Sequence, residues 1–441
     1  MKFQIKNLGP VRDAELELGN LTILCGKNNT GKTYVTYSVY GLLHHIMWTS
    51  VDFGLDNSIS EELYETGKTQ IDLTVIEKKI PQLIENYFKV YSENLHQMFS
   101  CNKDNFENCE LKLILDDYKF DYDRTVNYSH EHLRVHKAKD SRILEISLLP
   151  PRGTLTAIQM GRLLSVGDLL SYLLLKKYPL RTLIFTSERL GISLFYKELD
   201  ESRSRFLDRA MKLKNQENIA SIFDTISRYA KPIKENIDFT RNLDITEKQE
   251  SFLIKEKPDL ASYLENMTDG CYKLRNGKPI FMPGEEKTEL PIHMGSTSVR
   301  SLMDLNFYVK HLAEKNDLLM IDEPELNLHP ENQIRVARFF AKLVNSGIRV
   351  FITTHSDYII KELNNLIMLS NDFSQRDALM KAHGYEDDDI LQPSQLRVYV
   401  AENNTLTPAT VDEMGIEASS FEETIDKLNH ISDEILFALE D

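Results

Sequence analysis

Leu21-Thr22-Ile23-Leu24-Cys25-Gly26-Lys27-Asn28-Asn29-Thr30-Gly31-Lys32-Thr33 is the stretch on which the reading of this chain turns. A short apolar strand runs directly into the spacing G-x-x-x-x-G-K-[ST], and a helix-forming stretch follows. Gly26 and Gly31 free the backbone to curl, so that the N–H groups of Lys27, Asn28, Asn29 and Thr30 face one concavity. Lys32 brings a positive charge to the β- and γ-phosphates of a nucleotide, and the Thr33 hydroxyl is a ligand for Mg²⁺. The helix beginning near Thr33 adds the positive end of its dipole, and it continues from Tyr34 to Leu43 with Val35, Val39 and Leu42 on one side. These residues imply a nucleoside triphosphate site on a strand, loop and helix.

A second strand of the same kind lies far along the chain. Asp317-Leu318-Leu319-Met320-Ile321-Asp322-Glu323-Pro324 is a continuous apolar run, as suits a parallel strand covered on both faces, and it ends in two carboxylates. Ligands bind at the carboxyl ends of such strands. Asp322 is placed to hold Mg²⁺, directly or through water, and Glu323 to polarise the water that attacks the γ-phosphate. A helix from Pro330 to Asn345, ended by Gly347, leads to a third strand, Ile348-Arg349-Val350-Phe351-Ile352-Thr353-Thr354-His355. One strand–helix–strand interval after the carboxylates, His355 falls beside the γ-phosphate, where a neutral imidazole hydrogen-bonds phosphate or orients water.

Composition sets the bounds. The chain has 441 residues, 41% hydrophobic and 27% charged, as in a globular protein able to bury a large core. No run approaches the ~20 apolar residues of a membrane span, and Met1-Lys2-Phe3-Gln4-Ile5 opens a strand at once. Cys25, Cys101, Cys109 and Cys271 have no metal-ligand spacing, so reduced thiols in a cytoplasm are the expectation. The net charge of −16 disfavours duplex DNA as an autonomous ligand. The acid is concentrated late, with eleven Asp and Glu against Lys427 alone from Ala401 onward. The basic clusters Arg134-His136-Lys137-Lys139-Arg142 and Lys176-Lys177-Arg181 read as solvated faces, and Glu386-Asp387-Asp388-Asp389 as a solvated acidic loop rather than a metal site.

Patterning divides the chain into five segments. Residues 1–45 carry the phosphate loop, and 46–180 form an inserted region, helical to about Ser100, with Pro81 as a kink or restart, and then short strands from 110 to 148. Residues 181–269 give a strand at Thr182–Phe185 followed by a helical lobe, and a helix is expected around Met160–Lys177 before it. Residues 270–370 begin with a hairpin marked by Asn276-Gly277 and carry the acidic strand and His355. Residues 371–441 are an acidic extension with a strand at Leu396–Val400 and an amphipathic helix bearing Phe421, Ile425, Leu428, Ile435 and Leu439.

The phosphate loop, the Asp322-Glu323 strand, Glu325-Leu326-Asn327-Leu328-His329-Pro330 and Thr353-Thr354-His355-Ser356 together resemble the ABC-type ATPases, within the branch holding the RecF, SMC and OLD ATPases. The resemblance is specific over about residues 1–45 and 270–370. It implies an α/β ATPase head with a mixed sheet and an inserted, mostly helical lobe, using ATP and Mg²⁺. It also implies self-association into an ATP-sandwich dimer or a higher homo-oligomer. In that arrangement a signature motif of one subunit covers the nucleotide of the other. Here the matching stretch is Met294-Gly295-Ser296-Thr297-Ser298-Val299-Arg300-Ser301, which makes Ser296 and Ser298 the nucleotide-binding candidates. Glycine precedes the serines rather than following them, so which serine serves is open. The Ser187-Glu188-Arg189 turn resembles the glutamine-bearing loop of such ATPases, or is a strand-end salt bridge.

OLD nucleases continue into a C-terminal nuclease domain, for which the segment after His355 is too short. In this respect the chain resembles stand-alone ATPase subunits of bacterial antiphage systems such as Septu and PARIS. That implies a separately encoded nuclease or toxin as partner, with the acidic C-terminal helix as its dock. A RecF-like repair ATPase acting directly on DNA is the alternative, and a nucleotide-locked scaffold or antitoxin with little turnover is a third. A transporter ATPase fits least, because the polar insertions offer nothing to couple to a membrane subunit.

Overall fold

The computed structural model describes residues 1–48, 57–114, 123–128, 131–139, 141–149, 169–170, 181–195, 229–284, 288–417, 430–432 and 435. In chain order its strands are β1 (Lys2–Leu8), β2 (Val11–Glu17), β3 (Leu21–Cys25), β4 (Lys68–Asp72), β5 (Glu110–Ile114), β6 (Asp123–Tyr128), β7 (Glu131–His136) and β8 (Ile143–Leu148). Then come β9 (Thr182–Phe185), β10 (Gly270–Arg275), β11 (Lys278–Pro283), β12 (Leu290–Pro291), β13 (Leu318–Asp322), β14 (Arg349–Thr354), β15 (Leu396–Glu402) and β16 (Thr405–Pro408).

One six-stranded sheet, ordered β16-β15-β3-β14-β13-β9, organises the site. Every neighbouring pair from β15 to β9 is parallel, and only β16 runs antiparallel, so the sheet is mixed. All five residues of β3 and of β13 are buried. The continuous apolar runs follow from a separate core on each face. Leu24, Leu318, Met320 and Phe351 point into the core that includes the Lys32–Trp48 helix and the N-terminal strands. Leu21, Ile23, Leu319, Ile321, Val350 and Ile352 point into the other, formed with the Pro330–Asn345 and Asp357–Met368 helices.

A three-stranded antiparallel sheet, β2-β1-β5, packs into the first core. Its outer strand β5 comes from within the inserted region, pairing Phe3 with Leu113 and Ile5 with Leu111. Other described parts of the insertion form a second antiparallel sheet, β4-β8-β7-β6, and a helix from Leu73 to Glu93 that runs through Pro81 without restarting. The short Leu95–Phe99 helix lies against the Lys32–Trp48 helix at Gly41, where an added Cβ would stand 2.1 Å from Met98 Cε and 2.4 Å from the Tyr91 hydroxyl. Tyr91 in turn donates to the Ser38 carbonyl at 2.9 Å. Strands β10 and β11 form the expected hairpin, with Asn276 at φ 52° and Gly277 at φ 69°, the left-handed pair that a tight two-residue turn requires.

Two features differ from the sequence expectation. The segment beyond residue 370 is not merely appended, because β15 pairs in parallel with β3 from Leu396↔Leu21 to Val400↔Cys25. The Glu386–Asp389 stretch is solvated at Glu386 and Asp387, as expected, but turns inward at Asp388 and Asp389. Asp389 is 1% exposed, and the buried ammonium of Lys342 lies 2.6 Å from Glu386 and 3.1 Å from Asp389, and also pairs with Asp388. Lys342 pairs with three of the four acids of the turn, and Lys257 shares Asp388, which sequence spacing cannot reveal. The expected helices around Met160–Lys177 and Phe421–Leu439 lie outside the described residues, apart from a few isolated positions, as do residues 196–228 of the helical lobe. Among the described residues no helix is long and apolar enough to cross a membrane.

Candidate nucleotide site

The loop between β3 and the Lys32–Trp48 helix takes its shape from its two glycines. Gly26 sits at φ +129°, where a Cβ would meet the Ala401 carbonyl oxygen at 2.6 Å, and Gly31 sits at φ +98°, against Val11. Any other residue would be strained at both places. Thr30 closes the curl by donating its hydroxyl to the Lys27 carbonyl at 2.9 Å, and the Val35 N–H bonds back to Gly31 at 3.0 Å to start the helix. Lys27, Asn28, Asn29 and Thr33 are exposed. Lys32 is only 6% exposed, and its ammonium donates to the carbonyls of Gly26 at 3.0 Å and Lys27 at 2.9 Å. Burial pulls this ammonium below its ordinary value, while Glu323 and Asp322 draw it back.

Parallel pairing of β13 with β14, and of β14 with β3, brings the three strand ends side by side: Asp322 lies opposite Thr353, and Thr354 opposite Cys25. Asp322 Oδ2 is 3.5 Å from the Thr33 hydroxyl, and its Oδ1 accepts from the Thr353 hydroxyl. The same Thr353 oxygen accepts from the Glu323 N–H at 3.0 Å. Burial pushes the Asp322 carboxyl up to about 6. Glu323 stands in the left-handed region at φ 48°, and its Oε1 lies 3.3 Å from His355 Nε2. That imidazole holds the Glu323 carboxyl below its ordinary value against the pull of burial.

The structure thus gathers Lys32, Thr33, Asp322, Glu323 and His355 around the mouth of the Gly26–Thr33 loop. Ser296 and Ser298 belong to a different part of the head. Ser296 caps the Thr297–Phe307 helix, accepting from the Val299 N–H at 3.3 Å, and the Ser298 hydroxyl donates to the Asn327 carbonyl at 2.9 Å. Within one chain they serve the helix start and the turn after β13.

A family model described as the AAA ATPase domain matches residues 1–360, a span that includes the loop, the acidic strand end and His355. The chain belongs to the AAA ATPase domain family. It is an ATPase with an α/β head and a mixed sheet. Among solved structures, the Smc head domain of Pyrococcus furiosus bound to the C-terminal domain of ScpA is 11% identical over 98% of both chains, with a TM-score of 0.34. The SMC head domain of Thermotoga maritima is 10% identical over 93% of this chain and 98% of that one, at 0.31. The recombination mediator RecF with ATPrS is 10% identical over 93% and 97%, at 0.31. Likeness at these levels carries no argument about what the chain binds. No curated protein matches it.

Three further residues of this candidate site were quoted in the sequence motifs without a role of their own, and the structure shows what each one holds. Glu325 accepts at one oxygen, Oε1, from the Thr354 hydroxyl at 2.9 Å and the His355 N–H at 2.6 Å, and so fixes the loop that carries His355. Burial raises its carboxyl, and its Oε2 is buried without a hydrogen-bond partner. Thr353 reads in the sequence as an ordinary strand former, yet its hydroxyl joins Asp322 to Glu323. Arg189 is not a strand-end salt bridge. It is 3% exposed, and its guanidinium donates to the carbonyls of Thr186 (3.0 Å), Asp322 (2.8 Å) and Glu323 (2.8 Å). Its neighbour Glu188 accepts from the Tyr37 hydroxyl at 3.3 Å. In sequence the turn offered a charged pair at the end of an apolar strand and a resemblance to the glutamine-bearing loop, neither of which gives the partners of Arg189.

Proposed function

We propose that this AAA ATPase is an ABC-type head of the OLD, RecF and SMC kind that binds MgATP, dimerises on it, and hydrolyses it to control a separately encoded nuclease or toxin in bacterial antiphage defence. The observation that carries the nucleotide chemistry is the convergence of Lys32, Thr33, Asp322, Glu323 and His355 at three adjacent strand ends. The loop N–H groups and the Lys32 ammonium take the phosphates. Thr33 Oγ1 and Asp322 Oδ2 are a hard, oxygen-only donor pair suited to Mg²⁺, which takes its remaining ligands from phosphate and water and neutralises the charge on the phosphate oxygens when bound. Glu323, kept ionised beside His355, accepts a proton from the attacking water, and His355 orients that water or the γ-phosphate.

Ser296 and Ser298, at the capped N-terminus of the Thr297–Phe307 helix, are the groups offered to a partner's γ-phosphate in the dimer. The acidic C-terminal segment is the surface offered to the effector. Equilibrium ATP binding and turnover in the full chain test the nucleotide chemistry. Lys32→Ala should abolish binding, and Glu323→Gln should bind ATP but turn over about a hundredfold or more slowly. Light scattering that finds the Glu323→Gln variant a monomer both with and without MgATP would refute the dimer. Co-purification with its neighbouring gene products tests the effector. A salt titration on duplex DNA separates the RecF-like alternative, in which affinity falls steeply with salt.

A further inference from the structure

Glu323 occupies a left-handed backbone conformation, at φ 48°, that a non-glycine residue adopts at a cost, and such strain persists only where surrounding contacts over-determine it. Its carbonyl is held by the buried Arg189, which also holds the carbonyl of Asp322. The same guanidinium reaches the Thr297–Phe307 helix, with Nη2, the nitrogen that also holds the Glu323 carbonyl, 3.3 Å from the Ser301 hydroxyl and Nε 3.4 Å from the Ser301 carbonyl. Ser301 passes the contact on by donating to the Leu326 carbonyl at 3.1 Å, in the turn that Ser298 also bonds. Asp304, one turn further along that helix, is 2% exposed with an unpartnered Oδ1, and it lines with Arg189, Ser301 and Ile321 a cavity of about 10 Å³. That is about the least room one bridging water needs.

We propose that Arg189 is the positioning residue of Glu323: its fork holds the strained turn that aims the carboxylate, and ties that turn to the serine-bearing Thr297–Phe307 helix. The proposal rests on Glu323 being the group that activates water. A planar guanidinium supplies five donors in a rigid fork, and a lysine at the same place keeps the charge without the geometry. Movement of the serine-bearing helix, as when a second nucleotide or a partner engages its N-terminus, then reaches the Glu323 carbonyl directly through Arg189, beside the Ser298 and Ser301 bonds to the turn that follows.

The test is a double-mutant cycle in the full chain, with ATP affinity from calorimetry and the hydrolysis rate from single-turnover measurements on radiolabelled ATP. Arg189→Lys should leave the affinity within about threefold and lower the rate by about tenfold or more, and it should lower the rate no further when Glu323 is already Gln. An unchanged rate for Arg189→Lys overturns the proposal, and so does an equal fold-loss in both backgrounds, which is what general loosening of the head would give. Should Arg189→Lys fail to fold, Asp304→Asn, which removes the carboxylate facing the guanidinium, replaces it in the same cycle with an expected loss of about threefold or more, and no loss overturns the proposal. If Glu323→Gln retains full turnover, the catalytic assignment of Glu323 itself fails and the proposal falls with it. If Glu323→Gln is inactive and Arg189→Lys is not impaired, only the positioning role fails.

Discussion

Replacing Asp322 with asparagine should make the nucleotide-free chain more stable at neutral and alkaline pH, although it removes a residue central to the proposed chemistry. Asp322 is 2% exposed, and burial raises its carboxyl from an unfolded value of about 3.9 to about 6. A carboxyl raised by folding binds its proton more tightly in the folded chain, so stability rises as pH falls through that interval and is lost as pH rises. The full cost of keeping Asp322 ionised is reached above about pH 6–7. Two units at about 1.4 kcal/mol each give about 3 kcal/mol, which vanishes below about pH 4. Asparagine is uncharged and nearly isosteric, and it keeps an oxygen for the Thr353 hydroxyl. Urea denaturation at pH 8 and pH 4, with chelator and no nucleotide, should therefore show Asp322→Asn ahead by about 2–3 kcal/mol at pH 8 and level with wild type at pH 4. Adding MgATP should reverse the order at pH 8, since only a chain that binds it gains from mass action. A variant that is no more stable than wild type at pH 8, or equally favoured at both pH values, would refute the reasoning. Such an outcome would mean that neighbouring charges, rather than burial, set the ionisation of Asp322.

Other expectations concern packing and charge. Gly41→Ala should destabilise by about 1–3 kcal/mol despite alanine's higher helix propensity, because its Cβ would stand 2.4 Å from the buried Tyr91 hydroxyl, which is held by the Ser38 carbonyl, and differential scanning calorimetry checks the sign. Lys342→Met should cost about 3 kcal/mol and speed amide exchange across residues 386–390, since Asp389 and the shielded oxygen of Asp388 lose their cation, and unchanged exchange would show that the acidic turn stands without it. Glu325→Gln keeps an acceptor for Thr354 and His355 at Oε1 and should fold normally, whereas Glu325→Ala releases two donors and should lower thermal stability by about 1–3 kcal/mol.

Local chemistry made the nucleotide site legible. A phosphate loop is completed within eight residues of covalent chain, so its glycines, lysine and threonine could be assigned roles before any tertiary information. Apolar runs ending in Asp322-Glu323 and in His355 announced buried parallel strands by composition alone. Arg189, Thr353 and Glu325 stood inside quoted motifs, but their contacts could not be read because the partners are distant in sequence, as with Arg189 and the Glu323 carbonyl, or lie across a strand pairing, as with Thr353 and Asp322. The misreading of Glu386–Asp389 has the same origin. A run of acids is solvated unless some distant cation is packed against it, and Lys342 lies 44 residues before Glu386.

What the amino-acid sequence determined by itself is the chemistry of each strand end: which residue types stand at the carboxyl termini of three buried strands, because periodicity and short-range spacing dictate local backbone geometry. Tertiary structure alone decided that β14 would lie between β3 and β13, that β15 would be drawn in beside β3, and that one buried arginine would join the turn at Glu323 to the Ser301 helix. Strand order is a choice among non-local pairings, set by how two cores fill opposite faces of one sheet, and no short stretch of chain carries that information.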